Sequence, residues 1–420
     1  VKRRTLLLAA LGGAAATGLA LRPRDEGAPH QPYFEGLSSA LDAAGAGTPR
    51  LLIDRQALHR NISTLRGHIG DRYAYRIVAK SLPSVPLLEE VMQRSGSNRL
   101  MLFHQPFINR VAAALPHADI LLGKPMPVSA AARFYAQLGT TTFQPEQQLS
   151  WLLDTPQRVA QYAALAEQLA VDMRACIEID VGLHRGGVQD DATLLAMLDA
   201  ITAAPRLHFA GFMGYEPHVV KVPGSALSYR DRAMQRYSHF VAVAQRHLGA
   251  RWPEDAILNC GGSPTYQLYD EGEFPFNELA AGSCLVKPTD FDIPTLADHE
   301  PAAFIAAPVL KASAGVQIPG LPLGVLQQLW NPNRRRTVFT YGGYWKAQPV
   351  SPAGLSVNPL FGRSTNQEML NGSPATGLAA DDWVFLRPTQ SEFVFLQFGD
   401  IAVFDGGAIA AYWPVLGQQA

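Results

Sequence analysis

Residues 75–93 read YRIVAKSLPSVPLLEEVMQ, an apolar run that ends on Lys80 and then gives way to helical spacing. A lysine is seldom buried unpaired, because stripping water from its ammonium group is costly. Lys80 at the end of a buried strand is therefore either a solvated rim residue or an amine that does chemistry. Further polar clusters follow later apolar runs. Asp180, His184 and Arg185 lie in IDVGLHRGGV, and Tyr215, Glu216 and His218 in GFMGYEPHV. Gly261, Gly262 and Ser263 lie in LNCGGSPTY, and Gly282 and Ser283 in ELAAGSCLV. Glycine lacks a Cβ, so the backbone N–H groups of such turns can approach an anion closely.

A phosphate cradle facing a strand-end amine has one economical explanation, pyridoxal phosphate. The lysine would form a Schiff base, which needs an amine of lowered pKa at the rim of a desolvated pocket. The cofactor would then serve as an electron sink. Each signal also has a plainer reading. Lys80 could lay its stem along apolar surface, and the Gly-Gly-Ser run could be only a turn. Arg185 could pair with Asp180, Tyr215 could be a core aromatic, and His218 a solvated loop residue.

These residues need a frame that brings strand ends together. Short apolar runs occur at Tyr75–Ala79, Leu100–Phe103, Ile120–Leu122, Thr140–Phe143, Cys176–Val181, Phe209–Tyr215, Ile257–Cys260 and Leu279–Val286. Amphipathic stretches lie between them, at Val85–Gln93, Val128–Leu138, Gln157–Ala170, Thr193–Ala203 and Arg230–Leu248. Strand followed by helix, repeated eight times, predicts an α/β fold, a (β/α)8 TIM-type barrel over residues 48–295 with its site at the C-terminal strand ends. No GxGxxG follows an early strand, which argues against an open dinucleotide-binding sheet. From residue 296 to 420 the texture changes. Arg336–Tyr341, Trp383–Leu386, Glu392–Gln397 and Ile401–Phe404 read as short strands of a C-terminal all-β domain. Leu51–Asp54 precedes the first barrel helix and is expected to pair with that β domain. Residues 347–380, rich in Pro, Gly, Ser and Asn, read as a long loop able to fold over a site.

The 35 basic and 36 acidic side chains nearly cancel, leaving no electrostatic footprint for nucleic acid. Three scattered cysteines, Cys176, Cys260 and Cys284, make neither a disulfide framework nor a CxxC metal site, and read as small buried hydrophobes. The N-terminus pairs Arg3-Arg4 with an apolar stretch from Thr5 to Leu21 and a small-residue run at Gly18-Leu19-Ala20. This pattern predicts a twin-arginine export signal over 1–28, a linker over 29–47 and a periplasmic protein with no stable membrane contact once the signal is removed.

Over residues 48–415 the sequence resembles the fold-type III pyridoxal-phosphate enzymes, the alanine-racemase-like group. Within that group it is most similar to the D-threonine aldolase and D-serine dehydratase family. TPRLLIDRQALHRNISTL resembles the family's opening segment, RIVAK its lysine motif and DVGLHRGGV its D-x-G-x-x-R-x-G-V pattern. GYEPH resembles a Y-x-G-H pattern, and NCGGSPTY and ELAAGS the two phosphate-loop segments. The resemblance implies that Lys80 is the Schiff-base residue and that Arg185 lies beside the cofactor's phenolic oxygen. It places Tyr215 and His218 beside cofactor and substrate. Gly261, Gly262, Ser263, Gly282 and Ser283 would hold the phosphate. It also implies a homodimer.

The sequence departs from the family in places. Val78 stands where a His is frequent, and Cys284 where a Tyr is common. The lyases of the family hold a divalent metal through a His-x-Cys or His-x-Asp pair. Here Gln390 and Glu392 occupy those positions, and Met369 stands where another His is expected. Glutamate is an acceptable oxygen ligand, whereas glutamine is a weak neutral one. Without a metal, a lyase would activate the substrate hydroxyl through Glu392 or His218. The resemblance thus implies a lyase acting on D-amino acids, most of all β-hydroxy ones, by aldol cleavage or dehydration. Two alternatives remain open at this stage. One is an amino-acid racemase with Tyr341 or Tyr344 as its second base, and the other is a non-catalytic pyridoxal-phosphate-binding protein.

Overall fold

The computed structural model describes residues 22–315, 328 and 330–417. Residues 1–21 are outside this range, and with them most of the expected export signal. Among the described residues no helix is long and apolar enough to cross a membrane.

The first strand, β1 (Arg50–Asp54), precedes eight short ones: β2 (Ala74–Val78), β3 (Arg99–Leu102), β4 (Asp119–Leu122), β5 (Leu149–Leu153), β6 (Met173–Glu178), β7 (Leu207–Met213), β8 (Ile257–Cys260) and β9 (Glu278–Ala281). Strands β2 to β9 pair in parallel, each with the next, and β9 closes on β2 to complete the barrel. Parallel barrel strands are covered on both faces, which explains a run such as LSWLL in β5, buried at every position with Ser150 its one polar residue. The connecting helices start where short polar side chains can cap them. Asp54, Thr155, Asp190 and Ser225 each accept a hydrogen bond from a first-turn N–H of the helix that follows. Gly211 sits within β7 at a φ of 139°, where a Cβ would lie 1.9 Å from the Ile257 carbonyl oxygen. Only glycine lets β7 approach β8 so closely.

Two elements differ most from the sequence expectation. Thr140–Phe143 is not a strand, and the fourth barrel strand is β5. Thr141 Oγ1 donates to the Ala112 carbonyl and accepts from the Phe143 N–H, so its side chain competes for the backbone groups that a ladder would use. The last run ends its strand at Ala281, and Ser283–Val286 is a helical turn.

By packing, the chain divides into two units. The barrel unit comprises Ile53–Ala302, Gln390–Ile401 and the described residues from Tyr412 onward. The other comprises the described residues up to Leu52 and those within Ala303–Thr389 and Ala402–Ala411. Its sheet contains β10 (Ala303–Ala314), β11 (Arg336–Tyr341), β12 (Ala347–Ser351), β13 (Ser356–Val357), β14 (Gln367–Gly372), β15 (Trp383–Pro388), β16 (Asp400–Asp405) and β17 (Ala408–Pro414). The order is β13-β14-β11-β10-β1-β16-β17, with β15 beside β10 and β12 beside β15. β1 therefore belongs to this sheet and not to the barrel. Helix Pro32–Ala43 contributes Leu37 and Leu41 to a core with Leu52, Phe304, Trp383 and Phe385.

Residues 347–380 are not a long loop, because β12, β13 and β14 lie within them. Several of their polar residues are buried and hydrogen-bonded. Asn358 Nδ2 donates to Asn371 Oδ1 at 2.7 Å, and Asn371 Nδ2 donates to Thr337 Oγ1 at 3.0 Å. Glu392–Gln397 is not a strand either, since Ser391–Phe395 is a short helix.

Candidate active site

At the end of β2 the chain makes a single 3-10 turn, Ala79–Ser81, which presents Lys80 at the C-terminal mouth of the barrel. Its Nζ lies 2.8 Å from Glu392 Oε1 and 4.8 Å from the centre of the Phe103 ring. The lysine side chain is about one-third exposed, at 35%. Lys80 is thus a rim amine held by one carboxylate and one aromatic face. Ser81 beside it is buried, with its hydroxyl 2.8 Å from that of Ser283.

The two Gly/Ser turns follow the seventh and eighth barrel strands, the usual place for phosphate binding in such barrels. Ser263 Oγ accepts from the N–H groups of Gly282 at 3.0 Å and Cys284 at 3.1 Å. An oxygen atom therefore already sits at the focus of two backbone donors from the neighbouring turn. A Cβ at Gly262 would lie 2.8 Å from the Tyr215 ring, and one at Gly282 would lie 2.5 Å from the Val78 carbonyl oxygen. Only glycine allows these turns to close against their neighbours. Glu216 is fully buried and ties the turn to the Tyr215 segment. It accepts from Thr265 Oγ1 at 2.6 Å, Cys260 Sγ at 3.1 Å and the Gly261 N–H at 3.2 Å.

Arg185 stacks on Tyr215, its guanidinium carbon 5.2 Å from the ring centre. It does not pair with Asp180. That carboxylate is taken up locally by the N–H groups of Gly182 and His184 and by the His184 ring, at 2.9, 3.0 and 2.6 Å. Burial pushes the Tyr215 phenol up to about 12, with the Glu216 charge adding to the rise and Arg185 opposing it. Tyr215 is thus a neutral hydrogen-bond donor at ordinary pH.

These groups border one cavity at the C-terminal mouth of the barrel. Its lining brings together Lys80, Arg185, Tyr215, Gly261, Gly262, Ser263, Gly282, Ser283 and Glu392. His218 is not among the lining residues. It packs behind the Gly182 turn, where a Cβ on Gly182 would lie 3.2 Å from its Nε2. Burial pulls the His218 pKa down, while the Glu216 charge works against that. Gln390 is also not in the lining and holds the N-cap position of helix Ser391–Phe395. Apolar residues that sequence reasoning did not single out complete the wall: Met101, Phe103, Met213 and Phe291. Nothing distinguishes them in sequence from ordinary core residues.

The residues at the expected metal position do not fit a metal ion. Glu392 is engaged with Lys80, and among the described residues no group of three or more His, Cys, Asp or Glu side chains could hold one. A zinc site takes three or four such donors. The three cysteines are free and buried.

Comparison with known proteins sets this geometry in context. Residues 53–290 match the family model described as alanine racemase, N-terminal domain. A D-threonine aldolase from Arthrobacter sp. is 24% identical over 253 residues, which is 57% of this chain and 61% of that protein. The match therefore spans less than two-thirds of that relative's length. Among solved structures, D-threonine aldolase from Filomicrobium marinum superposes with a TM-score of 0.70 at 16% identity, covering 89% of this chain and 98% of the other. D-threo-3-hydroxyaspartate dehydratase from Delftia sp. HT23 gives 0.66 at 16% identity, covering 88% and 97%. At such identities the structural likeness establishes the fold. The family match covers more than half of the sequence, so the chain belongs to the alanine racemase N-terminal-domain family.

Proposed function

We propose that this member of the alanine racemase N-terminal-domain family is a pyridoxal-phosphate-dependent lyase that acts on D-amino acids bearing a β-hydroxyl group. One observation carries the reading: Lys80 stands at the rim of a cavity whose wall also contains the two Gly/Ser turns and the Arg185–Tyr215 pair. The relatives named above, an aldolase and a dehydratase of D-configured β-hydroxy amino acids, favour a lyase over a racemase.

The residues present fit the cofactor. Lys80 supplies the amine that carries it. Ser263 Oγ takes up the Gly282 and Cys284 N–H groups on the cavity wall, which would leave its own O–H to donate to a phosphate. Arg185 is permanently charged and has no hydrogen-bond or ion-pair partner among the described residues, so its guanidinium is available to an anionic oxygen. When bound, pyridoxal phosphate supplies an electron sink for a bond broken at the substrate Cα. The chain's own residues then orient the substrate and manage its protons. Lys80 would be the proton carrier at Cα. The neutral Tyr215 donates a hydrogen bond without adding charge. Phe103, Phe291 and the two methionines keep water from the reacting atoms.

The same reading makes the protein a homodimer, exported folded to the periplasm after cofactor insertion. Absorption spectroscopy tests the central part. The purified protein mixed with pyridoxal phosphate should show a visible band that borohydride bleaches, and Lys80→Ala should lack it. D-threonine should yield glycine and acetaldehyde, or D-serine pyruvate and ammonia. Inversion of configuration alone would mark a racemase, and a band without turnover a binding protein. A wild-type protein that takes up no cofactor would sink the proposal.

A further inference from the structure

Cleavage of a β-hydroxy amino acid between Cα and Cβ requires a group that takes the hydroxyl proton as the carbonyl forms. In metal-dependent chemistry a bound cation assists this step, and among the described residues no group of three or more His, Cys, Asp or Glu side chains could hold one. The cavity wall narrows the remaining choices. Arg185 stays protonated at any working pH. Tyr215 holds its phenolic proton up to about 12. Lys80 is committed to the amine chemistry. His218 is outside the lining. Among the described residues that line the cavity, Glu392 is the one carboxylate. It is half-exposed, at 43%, and its Oε1 lies 2.8 Å from Lys80 Nζ.

We propose that Glu392 is the base for the substrate β-hydroxyl, so that this enzyme cleaves its substrate without a metal ion. The inference rests on the lyase reading above and takes its Cα–Cβ branch. Glu392 Oε receives the hydroxyl proton, and the O–H electron pair becomes the second C–O bond of an aldehyde. The Cα–Cβ bond breaks, and its pair remains on Cα. A proton from the Lys80 ammonium completes glycine, and the proton on Glu392 returns to Lys80 across their contact. Atoms and electrons balance, with no oxidant or reductant consumed. The contact with Lys80 thus does two things. It holds the carboxylate at the mouth, and it closes the proton cycle.

Phe393 supports this placement. It is 67% exposed, whereas Val394 and Phe395 on the same short helix are fully buried. The two buried side chains anchor the helix to the barrel unit, which fixes where Glu392 points. Without that anchor, a carboxylate at a surface turn would be held too loosely to serve as a base.

The test uses the full chain loaded with pyridoxal phosphate, as wild type and as Glu392→Gln. Three readouts are taken: cleavage of D-threonine, exchange of the glycine Cα–H with deuterated water, and the borohydride-sensitive visible band. Exchange needs Lys80 and the cofactor but has no hydroxyl to deprotonate. Glu392→Gln should lose about 10²- to 10⁴-fold in cleavage, the range for removing a general base. Its exchange rate and band should stay within about threefold of wild type, since an interaction made only in the cleavage step is lost. Wild-type cleavage should be unchanged by a chelator and by added manganese. Equal loss of cleavage and exchange would overturn the proposal in favour of a merely structural role for Glu392. Full cleavage by Glu392→Gln, or abolition of wild-type cleavage by the chelator, would overturn it while leaving the lyase reading intact. Dehydration of β-hydroxy amino acids without cleavage would overturn this proposal and leave the lyase reading intact, and a wild-type protein that exchanges the glycine proton but neither cleaves nor dehydrates them would overturn both.

Discussion

Strand β2 and the turn that ends it carry two cations four residues apart, Arg76 and Lys80, and their surroundings could hardly differ more. Arg76 and Val78 share a face of β2, and Val78 lines the cavity, so Arg76 points into the barrel beneath it. It is 1% exposed and grips Glu278 with two hydrogen bonds, at 2.6 and 2.9 Å. Asp119 adds an ion pair at 2.7 Å, and Arg99 and Asn259 satisfy the remaining Glu278 valences. Burial alone would weaken Arg76's hold on its proton, but Glu278 and then Asp119 outweigh it and raise the pKa. Lys80, at the top of the strand, has a single carboxylate contact and is open to the cavity. The saturated pair below is a fixed part of the barrel floor. The single pair above leaves both partners capable of exchanging a contact for a ligand. A charge whose every valence is filled makes structure, and a charge with capacity to spare can make chemistry.

Mutations should separate the two pairs. The largest effect belongs to Lys80→Ala, which should lower turnover by on the order of 10⁴-fold, as expected when a covalent and proton-carrying group is lost together. Its urea midpoint should stay close to wild type, because a rim side chain adds little to stability. Glu278→Ala should do the reverse. Leaving Arg76 buried without its main partner should cost about 3–5 kcal/mol in urea unfolding. Refolded protein that still takes up pyridoxal phosphate would show that the site itself was spared.

The barrel wall should also account for acid sensitivity. Burial pushes His299 down to about 4, with the Asp298 charge opposing, while its Nε2 is 2.6 Å from the Tyr266 hydroxyl. The unfolded chain regains the ordinary value of 6.5, so it binds a proton more readily than the native state. The contribution is therefore present above pH 6.5 and is lost as the pH falls towards 4. The integrated loss is at most about 3 kcal/mol. Unfolding free energies at pH 7 and pH 5 should diverge less for His299→Gln than for wild type. The smallest effect is that of Glu392→Gln on stability at neutral pH. A half-exposed single ion pair is worth about 0–1 kcal/mol, so its urea midpoint should barely move.

Much of the site could be read from the sequence because strand ends announce themselves. The run into Lys80, the DVGLHRGGV turn and the two Gly/Ser turns each follow a buried strand, and the barrel gathers them as the alternation predicted. The failures have physical causes. Thr140–Phe143 has the β-branched composition of a strand, but Thr141 spends its hydroxyl on nearby backbone groups. Glu392–Gln397 has aromatic and branched residues in a row, yet Val394 and Phe395 are both buried, a neighbouring pair that a half-exposed strand cannot bury on one face. That helix is what sets Glu392 beside Lys80, so the misread element is the one that defines the carboxylate's role. Arg76–Glu278 was invisible for a different reason. The two residues are 202 positions apart, and only the closure of β9 on β2 brings them together. The polar segment over 347–380 looked unstructured because composition does not reveal that its asparagines bond one another inside a sheet.

The most direct test of the account is to load the protein with pyridoxal phosphate, reduce it with borohydride and map the modified peptide by mass spectrometry. The account predicts one pyridoxyl group, on Lys80. Modification of Lys287 or Lys124 with Lys80 untouched, or no stable modification at all, would contradict it.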